Sequence, residues 1–239
     1  MSTLEDLWRR ASTPTPPPDA STIVVIMLVA LACVLFAWPA VRMAVTVCHE
    51  AGHAVAAALG GRSLDAIRLH SDTSGVTVTR GKAGGIGLIF TLLAGYPAAS
   101  LVGVALAAVT GAGRAAAILG LLVALLVLML VKVRNLHGAA VVLGLAGALA
   151  LAVLYAPDRT LGWLTVWLAW LLLLAGPRPV LELALGPGRA AAVSDAAQLA
   201  RLTRLPRMVW IGLWLVGSLA ALAAGVVLLL PELTHGRLT

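Results

Sequence analysis

Polar side chains are too sparse along most of this chain to set a helical or strand period; apolar residues run on and end at short groups of Arg, Lys, Pro and Gly. A hydrocarbon layer about 30 Å thick selects such runs, because a helix rises about 1.5 Å per residue and needs about 17–25 apolar positions to cross it. Seven runs stand as candidate spans, several of them near the lower limit, at about 21–41, 43–60, 84–109, 115–131, 138–155, 161–175 and 208–230. One segment has a different period. Ser63-Leu64-Asp65-Ala66-Ile67-Arg68-Leu69-His70 and Gly75-Val76-Thr77-Val78-Thr79-Arg80 alternate apolar and polar positions around Asp72-Thr73-Ser74, which predicts a β-hairpin. The expected fold class is therefore all-α polytopic membrane protein, with about seven transmembrane helices and a short cytoplasmic β-hairpin inserted at 62–81. Residues 1–20, with Thr13-Pro14-Thr15-Pro16-Pro17-Pro18, predict a disordered Pro-rich tail and not a cleavable signal. Residues 21–231 form the single expected domain, with 177–207 as a cytoplasmic or re-entrant loop.

Composition supports this and sets an orientation. The 239 residues are 61% hydrophobic and 11% charged, which excludes an ordinary soluble globule. A net charge of +7 would suit nucleic acid, but the cations are dispersed at the ends of apolar runs, so the expected partner is the lipid bilayer and no nucleic acid. With seven spans, the tail, the hairpin and the loops at 132–137 and 177–207 share one side and hold 13 of the 17 Lys and Arg. Arg42, Arg114, Arg159 and Arg237 fall on the other. The positive-inside rule then expects a cytoplasmic N-terminus and an external Thr239. Cys33 and Cys48 both lie in apolar runs and read as reduced.

The chemistry is concentrated in the second run. His49-Glu50-Ala51-Gly52-His53 places two imidazoles one helical turn apart on one face, where both reach a single Zn²⁺, with Glu50 beside the water such an ion activates. Ionisable groups inside a span cost a few kcal/mol each, so three in five residues mark a functional site. His53 lies seven residues before Gly60, roughly 10 Å along the helix. A catalytic zinc needs a third protein ligand. No further His or Glu follows at short spacing, which leaves Asp72, Glu182 and Asp195, with His70 and His137 as nitrogen alternatives. Asp195 follows Ser194, a candidate cap of a short helix ending before Pro206, and complementing that helix dipole is its competing role.

The order of HEAGH helix, hairpin and a helix bearing Ala94-Gly95-Tyr96-Pro97-Ala98-Ala99-Ser100 resembles the site-2 protease family of intramembrane zinc metallopeptidases. His70-Ser71-Asp72-Thr73-Ser74-Gly75, Arg134-Asn135 and Ser194-Asp195-Ala196 resemble its small bacterial branch like the B subgroup. Two departures stand out: the usual Asn-Pro…Leu-Asp-Gly stretch is absent, and Tyr96 is inserted in the Gly-Pro motif with Ser100 near its Asn position. The resemblance implies His49, His53 and Asp195 as ligands of one Zn²⁺, Glu50 as general base, and Gly95, Pro97, Ser100 and Asn135 as substrate-binding. It further implies a multi-pass protein of the bacterial inner membrane that hydrolyses peptide bonds in or next to transmembrane segments of a membrane-protein substrate. A break at Gly95 and Pro97 is expected to admit an extended strand, and the hairpin edge to clamp it. The alternatives are a catalytically inactive zinc-stabilised scaffold and a transporter.

Overall fold

The computed structural model describes residues 3–186 and 193–231, and those residues are mostly helical. Helices α1 (Thr3–Ser12), α2 (Ala20–Phe36) and α3 (Trp38–Leu59) precede a hairpin of β1 (Ser63–Leu69) and β2 (Gly75–Arg80). Then follow α4 (Ile86–Gly111), α5 (Ala115–Leu130), α6 (Leu136–Tyr155), α7 (Asp158–Ala175), α8 (Pro177–Leu185), α9 (Asp195–Thr203) and α10 (Arg207–Leu229).

Among the described residues four helical stretches are long and apolar enough to cross a membrane: α4, α6, α7 with α8, and α10. A fifth path exists if α2 and α3 count as one, for Ala37 alone separates them and they are bent by 100°. Pro39, in the first turn of α3, gives the bend its cause: without an N–H it cannot continue the α2 ladder, whereas its fixed φ suits a helix start. Helix α5, expected as a span, is 16 residues long and falls short of that length.

Helix α4 is the centre of the packing, flanked by α3, α7 and α10. Its approach to α3 is close because Gly52 has no side chain: a Cβ there would stand 2.5 Å from the Ala94 carbonyl oxygen and 2.7 Å from Ala98 Cβ. Small residues let apolar helices meet in this way where lipid supplies no hydrophobic force between them. The expected break at Gly95 and Pro97 does not occur; α4 runs through Pro97 unbroken. Proline leaves the carbonyl four residues earlier without a partner, and that carbonyl, of Leu93, accepts the Trp214 indole N–H at 3.1 Å. Satisfying the freed group from α10 offsets the hydrogen-bond part of the cost of keeping proline inside the helix.

The tail also differs from expectation. Residues 3–12 are helical, and Arg10 reaches the end of α6, where its guanidinium donates to the carbonyls of Val153, Leu154 and Ala156 and to Asp158. Arg114 in turn donates to the last carbonyls of α1, at Ser12 and Ala11. These bonds join the tail to the turns before α5 and α7, the side opposite the hairpin. Arg42 moves the other way: it donates to the Thr73 hydroxyl at 2.6 Å and pairs with Glu182 at 3.3 Å, at the hairpin end. The seven-span expectation put the tail and the hairpin on one side and Arg42 on the other; here the tail caps one end of α6, the hairpin is fastened at its other end with Arg42 beside it, and the bent α2–α3 pair joins the two ends.

Single cysteines at Thr13 and Ala112, in a protein with Cys33 and Cys48 replaced by Ala, will be labelled from one face of the membrane, and cysteines at Lys82 and Arg134 from the other. Labelling of Thr13 and Lys82 from the same face would contradict this arrangement.

Candidate metal centre

Helix α3 turns His49 and His53 toward α4. Their rings meet edge to face at 4.5 Å, with the two Nε2 atoms 2.9 Å apart. Asp195 opens α9, where the Ser194 hydroxyl caps the helix by accepting the Ala197 N–H. Its Oδ2 lies 3.2 Å from both Nε2 atoms. Among the described residues these three form the one group of three or more His, Cys, Asp or Glu whose ligating atoms all lie within 4.8 Å of each other.

The donor set fits a metal. His53 Nδ1 stands 2.6 Å from the Thr91 carbonyl oxygen, which can only accept, so Nδ1 carries the proton and Nε2 presents a lone pair. In the neutral ring Nε2 then turns its lone pair toward a carboxylate oxygen and a second imidazole nitrogen, and a cation among the three stabilises that arrangement. Four ligands placed tetrahedrally about zinc at about 2.0–2.1 Å lie about 3.3 Å from one another, close to the separations seen here. The Thr91 carbonyl is also the kind of outer partner that fixes the tautomer of a metal-binding histidine.

The remaining walls explain several residue choices. A Cβ on Gly95 would come within 2.6 Å of both imidazole rings, so glycine makes room for the ligands and does not touch the cavity. Tyr96 packs edge to face on His49 at 4.8 Å and stacks on Trp214 at 4.5 Å, so α10 supports the ligand helix through an aromatic pair. Glu50 is 3% exposed, and its Oε2 accepts the Thr77 hydroxyl at 2.6 Å. Gly75 lies directly against the same carboxylate, leaving no space for a side chain.

The hairpin's two edges are unequal. On β1, Ile67 exchanges backbone hydrogen bonds with Lys132 and Arg134, and the Asn135 side chain both donates to and accepts from the Leu69 backbone. That edge is closed, whereas β2 has no strand partner beyond β1 among the described residues and lines a cavity of about 810 Å³. The opposite wall carries Glu182, Asp195 and Gln198.

Several expected site residues lie elsewhere. Asn135 holds β1 and Ser100 is buried against Gly176; neither they nor Pro97 and Gly95 line the cavity, because the unbroken α4 turns Ser100 toward the α7–α8 junction. Of the alternative ligands, Glu182 pairs with Arg42 and Arg178, while His70 and His137 are exposed. Asp72 is committed to its turn: the Ser74 hydroxyl and backbone N–H both donate to it and hold its carboxyl below the usual range. Thr77, Gly75 and Tyr96 were not singled out as site residues from sequence; the period-2 alternation of β2, which puts 75 and 77 on one face, is the signal that would have found the first two. Residues 187–192, within the loop expected at 177–207, fall outside the described residues, as does Thr239.

A family model described as Peptidase M50B-like matches residues 20–225, from the first turn of α2 into α10, and so takes in both histidines, the hairpin and Asp195. No curated protein and no solved structure matches the chain. A match over most of the chain, on a helical membrane scaffold whose histidines and aspartate converge, means that the protein belongs to the Peptidase M50B-like branch of the site-2 protease family.

Proposed function

We propose that the protein is a zinc-dependent endopeptidase that cuts peptide bonds within or beside transmembrane segments of other membrane proteins. The observation that carries the reading is the convergence of His49 Nε2, His53 Nε2 and Asp195 Oδ2 on the cavity that also receives Glu50. The two imidazoles and the Asp195 carboxylate would hold one ion. Zinc bound there supplies Lewis-acid activation of water and of the scissile carbonyl. Glu50 takes the proton from the attacking water and delivers it to the departing amine nitrogen, the work of a general base that then acts as acid. Its burial away from bulk water keeps that proton within the site.

A helical substrate hides its carbonyls in its own hydrogen bonds and must unwind before one can react. The unpartnered edge of β2 offers the unwound stretch replacement bonds, so the substrate adds as a third strand between β2 and the wall formed by α8 and α9. Orientation follows from charge. Among the described residues Arg9, Arg10, Arg114 and Arg159 are the cations of the tail end, and the remaining Lys and Arg lie toward the hairpin end. By the positive-inside rule this distribution supports a hairpin and metal centre on the cytoplasmic side of a bacterial inner membrane, with the tail outside. A transporter would need polar groups along a path through the bilayer; the buried Thr110 and Thr165 hydroxyls instead bond back to carbonyls of their own helices. A merely structural zinc site has no use for a buried carboxylate held by a strand, which favours an active enzyme over a scaffold.

Glu50→Gln will keep about one zinc per chain and lower the cleavage of membrane substrates in liposomes by about 10²–10⁴-fold, the usual worth of a general base. Unchanged cleavage would remove Glu50 from the mechanism. Asp195→Ala will weaken zinc binding by at least about 10–100-fold, the cost already seen for an outer partner, while circular dichroism shows the helices intact. Zinc retained at wild-type affinity would exclude Asp195 as a ligand.

A further inference from the structure

The contact between Glu50 and the hairpin goes beyond the ligand set. Glu50 projects from α3 and is almost fully buried, yet the hydroxyl that holds it comes from β2, at Thr77. Strand periodicity makes this contact part of a pattern: positions 75, 77 and 79 share the face toward α3. Gly75 leaves room for the carboxylate, Thr77 donates to its Oε2, and Thr79 accepts from Arg62 just beyond the end of α3. The backbone of these same residues forms the edge of the hairpin that has no strand partner among the described residues, since β1 is already closed by the 132–135 segment and Asn135.

We propose that Thr77 is the positioning residue for Glu50, so that the strand receiving the substrate also sets the base. The proposal rests on the endopeptidase reading and adds a coupling to it. The Thr77 proton engages Oε2 and fixes the carboxylate's rotamer, which leaves the other oxygen for the attacking water. A substrate strand bonded to β2 restrains the backbone that carries Thr77, and with it the base. An undocked hairpin, free along one edge, holds the carboxylate less firmly, so bond cleavage is favoured where a substrate is present.

Thr77→Val removes the hydroxyl and keeps the branched shape. In liposomes kcat will fall by about 10–100-fold, the range of outer-partner losses, with KM and zinc content unchanged, and Thr77→Ser will keep most of the turnover. Wild-type kcat in the Val variant, a change confined to KM, or a Ser variant as impaired as Val would overturn the proposal. If the Val variant does not fold, Thr77→Ala against Thr77→Ser carries the same contrast, and equal turnover in the two would overturn it. A second readout needs no turnover: the infrared carboxylate stretch assigned to Glu50 by its loss in Glu50→Gln will shift in Thr77→Val and stay in place in Thr77→Ser. An unshifted band overturns the proposal even if no substrate is cleaved, whereas a shifted band with an inactive wild type would count against the endopeptidase reading alone.

Discussion

Two imidazole nitrogens and a carboxylate oxygen face each other at 2.9–3.2 Å inside an apolar bundle, an arrangement that a cation held among them stabilises. Much of the surrounding structure serves to hold it. Gly52 lets α3 approach α4, Gly95 clears space for the rings, and the Thr91 carbonyl fixes the tautomer of His53. Pro97 sits one turn beyond Leu93, and Trp214 both takes the freed Leu93 carbonyl and stacks on the tyrosine that backs His49. One indole therefore links the integrity of α4 to the posture of a ligand. The third donor arrives on a separate helix whose start is set by a serine cap, so Asp195 is aimed by local backbone chemistry and not by a long flexible arm.

The hairpin has a mechanical place in this account. Its β1 edge is fastened to the segment between α5 and α6, its turn is tied to α3 by Arg42 and by Thr46 donating to the Thr73 carbonyl, and its β2 face holds Glu50. Three of its four sides are thus used internally. The remaining edge faces the cavity, and an unpaired strand edge beside a reactive centre is otherwise an aggregation liability that proteins cover. Among the described residues that edge stays open, which suits a surface for a transient strand.

Much of this was legible in the residues themselves. HEAGH declared its own geometry because the helical repeat fixes where i and i+4 point, and the hairpin declared itself by a period of two. Ser194 before Asp195 gave the cap. The apolar runs located α4, α6, α7 and α10 to within a few residues, since a bilayer imposes both length and composition. What sequence could not give was tertiary. Pro97 read as a break because the donor that rescues it lies on α10, far along the chain. The runs at 21–41 and 43–60 read as two spans parted at Arg42 because hydropathy reports apolar length and says nothing of the 100° turn at Ala37. The tail read as disordered because Arg10 becomes ordered only by capping α6, a contact no local pattern announces. Asn135 read as substrate-binding, although its amide is spent on the Leu69 backbone.

X-ray absorption at the zinc edge of the loaded protein in lipid tests the central claim most directly. His49, His53 and Asp195 together predict two imidazole nitrogens and a carboxylate oxygen at about 2.0–2.2 Å, and no sulfur shell. A shell at about 2.3 Å would bring in Cys48, the neighbour of His49, and a spectrum with fewer than two imidazoles would separate the histidines; either result would contradict the site described here.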